Sequence, residues 1–313
     1  MKDIKIFACN SATPFAQEIC KYLNLPLGQM NSFKFKNDNN FVQYLESVRE
    51  QDIYIIQTTE PPVNERVMEL LIAVEAARRA AARRINVILP YFMYSRSDKK
   101  DQPRVPITAK LMAKLIEAAG ADRVITCDLH NPAIQGYFEI GCDVLTATYM
   151  LADYFKSLHL EDITVVATDA GSTKKAHKYK KLLGCPIAMI DKEREDNNDN
   201  AHANNIVGNI EGRTCLIFDD EISTGGTLVE AINICSERGA KAVYAGATHG
   251  IFVDNAVEKL RNSAVEQVVI TNTVPFNEQE PKIKVLSIAP LFADAIKRVN
   301  EGYPLGNLFL YDK

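Results

Sequence analysis

Short β-rich apolar runs alternate with helical periods along most of this chain, and that alternation limits the folds open to it. The segments Ile4–Ala8, Ile53–Gln57, Asn86–Leu89, Arg123–Thr126, Thr164–Ala167, Pro186–Ile190, Thr214–Phe218, Lys241–Ala245 and Gln267–Thr271 read as strands. Between them, Asn64–Arg84, Thr108–Ala119 and Thr227–Arg238 carry helix-forming residues with apolar positions three and four apart. Strands and helices taking turns imply an α/β fold of mostly parallel sheets flanked by helices, and ligands of such sheets sit at the carboxyl ends of the strands. A length of 313 residues allows two domains, each with its own core. The expected division is 1–147 and 148–289, with the tail 290–313 packing back on the first half, although no sequence repeat relates the halves.

The densest chemistry lies in CLIFDDEISTGGT, residues 215–227. An apolar strand ends in Asp219 and Asp220, and the turn Ser223-Thr224-Gly225-Gly226-Thr227 then opens a helix. Glycine lets backbone N–H groups close around an anion without a Cβ in the way, and the helix dipole and nearby hydroxyls add to the attraction. Two carboxylates beside such a turn repel a bare phosphate. They make sense if they face sugar hydroxyls, or a Mg²⁺ held by oxygen ligands, so a phosphorylated sugar is the simplest ligand. The chain contains neither GxxxxGK[ST] nor GxGxxG, which removes the main support for P-loop and dinucleotide readings.

Composition narrows the partners. A net charge of −4 gives no support to a general nucleic-acid or membrane-surface role. The Arg78, Arg79, Arg83 and Arg84 stretch shares its expected helix with Glu69 and Glu75, and reads as a solvated or subunit-contact face. Seven cysteines show no CxxC spacing and are expected to be reduced and packed as small hydrophobes. The opening MKDIKIFACN has no signal-peptide apolar region and no apolar run reaches membrane-spanning length, so a cytoplasmic location is expected.

Four further segments offer polar groups at strand ends. In VITCDLHN, Asp128 and His130 lie two apart, the spacing that puts both on one face of a strand and suits Mg²⁺ or a triphosphate. In PYFMYSRSDKK, Arg96 and Asp98 again share parity, and the planar fork of Arg suits polyphosphate. VATDAGST carries Asp169, a candidate metal ligand. In IDKER, Lys192 and Arg194 precede EREDNNDNAHANN (193–205), a polar stretch expected to act as a flap that brings two cations onto a reacting phosphate.

Taken in order, these segments resemble the class I ribose-phosphate pyrophosphokinases, or phosphoribosyl pyrophosphate synthetases. SVRE (47–50), MELL (68–71), PITAKLMAKL, AGADRVITCDLH, IQGYFEI, THGIF and NTVPF extend the likeness nearly from end to end. The resemblance implies two phosphoribosyltransferase-type domains and transfer of the pyrophosphoryl group of ATP to ribose 5-phosphate, giving phosphoribosyl pyrophosphate and AMP for nucleotide biosynthesis. It also implies a homo-oligomer, usually a hexamer of dimers. Position by position, Ser223, Thr224, Gly225, Gly226 and Thr227 would hold the 5-phosphate, and Asp219 and Asp220 the ribose hydroxyls. Arg96, Ser97, Asp98 and His130 would meet ATP, whose base would rest on Phe35, Asn37 and Asn39 of a neighbouring subunit. His130 and Asp169, supported by Asp128, would hold Mg²⁺. Lys192 and Arg194 would be catalytic, with Arg194 also touching the pentose phosphate.

The chain departs from the family pattern in places. Ser223 stands where an acidic residue is usual, Asn39 where a glutamate is, and Ser97 where a glutamine is. Of the family's regulatory anion site Ser47 and Arg49 are present, but the hydroxyl-bearing turn near the C-terminus reads Pro304-Leu305-Gly306, which implies weak or absent activation by phosphate and inhibition by ADP. The alternatives are a catalytically silent paralogue in a hetero-oligomer, or a phosphoribosyltransferase, which would leave the first-half motifs without a task.

Overall fold

The structure, a computed structural model, describes residues 4–192 and 204–309. The chain divides into two compact units: Met1–Thr146 with Asn272–Pro275 and Ser287–Lys313, and Ala147–Thr271 with Phe276–Leu286. Along the first unit run β1 (Ile4–Ala8), α1 (Thr13–Leu23), β2 (Met30–Lys34), β3 (Asn40–Tyr44), β4 (Asp52–Ile56), α2 (Val63–Arg79), β5 (Arg84–Leu89), α3 (Thr108–Ala119), β6 (Arg123–Cys127) and β7 (Gly141–Leu145). The second contains α4 (Thr148–Ser157), β8 (Ile163–Ala167), α5 (Thr173–Leu183), β9 (Ile187–Lys192), β10 (Asn204–Val207), β11 (Thr214–Ile222), α6 (Gly226–Glu237), β12 (Ala242–Gly250), α7 (Ala256–Asn262), β13 (Val265–Thr271) and β14 (Ile283–Leu286). The chain then returns to the first unit with α8 (Ala289–Glu301) and α9 (Gly306–Phe309).

In the first unit the sheet order is β1-β4-β5-β6-β7, all parallel, with β2 and β3 forming a separate antiparallel hairpin. In the second it is β10-β9-β8-β11-β12-β13-β14, parallel except for the β9–β10 pair. The continuous apolar runs of β4 and β11 are explained by position. A parallel strand covered on both faces has no solvent side to mark with polar residues, and all five residues of β4 are buried.

α1 and α8 show how local sequence seats a helix. Pro14 and Pro290 open them, Asn24 and Gly302 end them in left-handed conformation, and Phe15 of one meets Phe292 of the other edge to face at 5.5 Å.

Two expectations need correction. The helix expected over 64–84 stops at Arg79, because Ala81 turns left-handed (φ 59°) and Arg84 starts β5. Arg83 and Arg84 are spent instead on the fully buried Asp52. Burial opposes that carboxylate's charge, yet the two guanidiniums hold its pKa below the ordinary range. Glu69 is not on a solvated face either, being 5% exposed. No helix among the described residues is long and apolar enough to cross a membrane.

Removing the ring from Phe292 strips the α1–α8 seam of its aromatic pair. Phe292→Ala is expected to lower unfolding stability by about 3–4 kcal/mol, read as a drop in the urea midpoint. A midpoint equal to that of the unaltered chain would show that the seam contributes nothing.

Candidate active site

The second unit builds its site at the end of its central strand. Thr214–Phe218 of β11 are buried between β8 and β12, whereas Asp219, Asp220 and Glu221 are half-buried and still belong to the strand. The aspartates therefore sit on the strand itself, which runs four residues past Phe218, where the apolar run ends, to Ile222. Phe218 fixes the strand from below: it stacks on Tyr179 of α5 at 3.5 Å and meets Phe155 of α4 edge-on at 5.3 Å. Gly246 of β12 makes room, since a Cβ there would lie 3.0 Å from the Phe218 ring.

Beyond Ile222 the turn is tied down through its carbonyls. Val253 N donates to Ser223 O at 3.1 Å and Lys259 Nζ to Thr224 O at 3.2 Å. Gly225 caps α6 with φ 72°, a conformation that favours glycine, and the first-turn N–H groups of α6 have no partner within the helix. Ser223 is half-buried, Thr224, Gly226 and Thr227 are exposed, and Gly225 is buried. The five turn residues are thus brought together with the two aspartates in one strand-to-helix turn.

Sequence reasoning missed a cation here. Lys175, from the first turn of α5, donates to Asp219 Oδ1 at 2.8 Å and to Asp220 Oδ1 at 2.6 Å. Burial pushes the Asp219 carboxyl up, with Asp220 adding to that shift and Lys175 opposing it. Burial also works against the lysine's own charge, but the two carboxylates outweigh it and raise its pKa. The signal was available, because a pair of partly buried carboxylates requires a nearby cation.

Asp169, which precedes α5, is exposed, and its Oδ1 accepts from Ser172 N at 2.7 Å in a local turn. Lys192 is the last residue of β9. Arg194 and most of the 193–205 stretch lie outside the described residues; Asn204 and Asn205 begin β10 and pair antiparallel with β9.

In the first unit the parity argument does not survive. β6 ends at Cys127, and Asp128 leaves it with φ 35°, so the alternation that would align Asp128 with His130 has already stopped. Asp128 is half-buried and His130 exposed. Arg96 and Asp98 likewise lie in turns after β5: Arg96 is exposed, Ser97 half-buried, and Asp98 only 4% exposed. Asp98 instead joins the two loops, its Oδ2 accepting from Asn131 Nδ2 at 2.5 Å and its carbonyl from Tyr137 Oη. Phe35, Asn37 and Asn39 are exposed at the turn of the β2–β3 hairpin, where Phe35 packs edge-on against Phe33 at 5.1 Å. Glu69 anchors that hairpin, accepting from Ser32 Oγ at 2.7 Å, Asn10 N at 3.0 Å and Gln57 Nε2 at 3.0 Å.

A mostly parallel sheet flanked by helices, with paired carboxylates at a strand end and a glycine-rich helix start, places the chain among the α/β proteins with doubly covered parallel sheets. Residues 4–120 match the N-terminal domain of ribose phosphate pyrophosphokinase, and residues 201–310 the phosphoribosyl synthetase-associated domain. The chain is 45% identical over 308 residues to the ribose-phosphate pyrophosphokinase of Bacillus caldolyticus and 46% identical over 313 residues to that of Clostridium perfringens, each match covering 98% of both chains. It also superposes on the phosphoribosylpyrophosphate synthetase of Mycobacterium smegmatis with a TM-score of 0.91 and 39% identity, covering 96% of this chain and 100% of that one. The chain belongs to the ribose-phosphate pyrophosphokinase family.

The left-handed cap makes the turn sensitive to a single methyl group. Gly225→Ala is expected to cost about 1 kcal/mol of stability. Gly226→Ala, where the nearest atom to a new Cβ is Thr224 Oγ1 at 3.9 Å, should be neutral or slightly stabilising. Denaturant titration of both variants checks this, and equal effects would show that backbone conformation is not what glycine supplies at 225.

Proposed function

We propose that this protein transfers the pyrophosphoryl group of ATP to ribose 5-phosphate, feeding phosphoribosyl pyrophosphate to nucleotide biosynthesis. The anomeric hydroxyl attacks the β-phosphorus of ATP and loses its proton, the bond from that phosphorus to the α-phosphate oxygen breaks, and AMP leaves. The observation that carries this reading is the β11–α6 turn, where two carboxylates stand beside an anion cradle in a chain related to pyrophosphokinases over nearly its whole length.

In this reading the N–H groups and hydroxyls of Ser223–Thr227 hold the 5-phosphate, while Asp219 and Asp220 accept hydrogen bonds from the ribose hydroxyls. Arg96 and His130 meet the ATP phosphates, with Ser97 beside them, and Asp98 acts through its bond to Asn131 by fixing the Arg96 loop to the His130 loop. Phe35 offers a flat apolar face to adenine, with Asn37 and Asn39 as polar contacts of mixed donor and acceptor character. The exposed Phe33 and Phe35 support a homo-oligomer in which the hairpin serves a neighbouring subunit. Lys192 and Arg194 neutralise charge on the transferring group, where positioning and electrostatics supply most of the catalysis.

Magnesium fits the donors present. It is bound by one or two carboxylates, with waters and substrate phosphates completing its shell. Asp169 would offer a carboxylate oxygen in the second unit, and Asp128 one in the first. His130 would add a nitrogen donor beside Asp128 and also meet the triphosphate. A bound ion there would supply positive charge against the negative charge of the phosphates.

Incubation with ribose 5-phosphate, ATP and Mg²⁺ should release AMP only when all three are present. Lys192→Ala should lower kcat by about 100-fold or more with little change in ribose 5-phosphate affinity, as expected for a transition-state contact. Equal AMP release by both proteins, or none from either, would remove the assignment. With Pro304-Leu305-Gly306 replacing a hydroxyl-bearing turn, rates at constant ionic strength should change little on adding inorganic phosphate. A strong saturable dependence would show that the anion site is intact.

A further inference from the structure

We infer that Lys175 is a positioning and specificity-determining residue for the pentose, holding Asp219 and Asp220 together so that both carboxylates meet adjacent sugar hydroxyls. This inference rests on the pentose-phosphate reading of the β11–α6 turn. Successive residues of a strand point to opposite faces, and both aspartates lie within β11. Left to strand geometry and mutual repulsion, their side chains would diverge. The single ammonium 2.8 Å from Asp219 Oδ1 and 2.6 Å from Asp220 Oδ1 makes them converge, and Asp220 N closes the arrangement by donating to Asp219 Oδ1 at 2.8 Å.

The lysine is itself held in place. Tyr179 is one turn further along α5, on the same face as Lys175, and its buried ring lies flat on Phe218 at an interplanar angle of 6°. The residue before Asp219 and the helix carrying Lys175 are therefore locked together by an apolar stack directly beneath the ion triad. With one cation set against two anions, the triad carries one net negative charge instead of two. That weakens repulsion of the substrate's phosphate from the neighbouring Ser223–Thr227 turn.

The test uses the full-length enzyme with Lys175→Met and Lys175→Arg, calorimetric binding of ribose 5-phosphate and 2-deoxyribose 5-phosphate, and steady-state constants for both substrates. Loss of a charge-assisted pair predicts roughly tenfold or greater weakening of ribose 5-phosphate binding in the Met variant, with a much smaller change in the KM for ATP. The preference for ribose 5-phosphate over its 2-deoxy analogue should shrink, because only the former presents both hydroxyls to the carboxylates. Lys175→Arg should restore most of the affinity and the preference. If the Met variant keeps its preference, or loses affinity for ATP and ribose 5-phosphate alike, Lys175 is structural and the inference is overturned. If the unaltered enzyme binds neither pentose, the reading of the turn itself fails, a result distinguishable from failure of the lysine alone.

Discussion

The second unit depends on keeping two adjacent carboxylates charged at the edge of its core. Half-burial raises the cost of each charge, and their proximity raises it further. The Lys175 ammonium offsets both, and the Tyr179–Phe218 stack keeps it within reach. Without that cation, two uncompensated carboxylates would stand side by side at a half-buried strand end, where charge is costly.

The first unit meets a related problem with neutral struts. Two loops leave adjacent parallel strands, β5 and β6, and nothing in the ladder ties them once the strands end. Buried Asp98 does so through Asn131 and Tyr137, which leaves Arg96 and His130 exposed on connected segments. The hairpin carrying Phe35 would otherwise be a two-stranded ribbon of marginal stability. The buried Glu69 carboxylate, accepting three hydrogen bonds, pins its Ser32 to Asn10 and Gln57. In the first unit two buried acids, Asp98 and Glu69, stand one step behind the exposed groups, and in the second unit a lysine takes that place.

This division explains what could be read from the sequence. Long apolar strands and strongly periodic helices were legible because burial leaves a period in the sequence, as in β4, β11 and α3. The β2–β3 hairpin was not, because MNSFK and NFVQY are polar, half-exposed strands with little apolar contrast. α5, with only Ala176 and Tyr179 buried among its lysines, likewise lacks an apolar stripe, and with it went the Lys175 contact. The parity arguments at Asp128 and Asp98 failed for a single reason. Alternation holds only while a residue remains in the strand, and strand ends, where ligands bind, are where the backbone leaves it. The pairing of Asp219 with Asp220 shows the same limit from the other side, since a cation overrides the alternation the strand would impose.

Charge at the turn also bears on Ser223. An acidic residue there would add a third negative group next to Asp219 and Asp220, and Lys175 already balances only one of those two. A neutral hydroxyl leaves the Gly225–Thr227 helix start facing less local negative charge, and Lys259 brings a second ammonium to the Thr224 carbonyl. For the pentose phosphate proposed at this turn, Ser223 would lower opposition to the phosphate while giving up one acceptor for the sugar. In that proposal the specificity for hydroxyls would fall more heavily on the two aspartates, and so on the lysine that bonds to both.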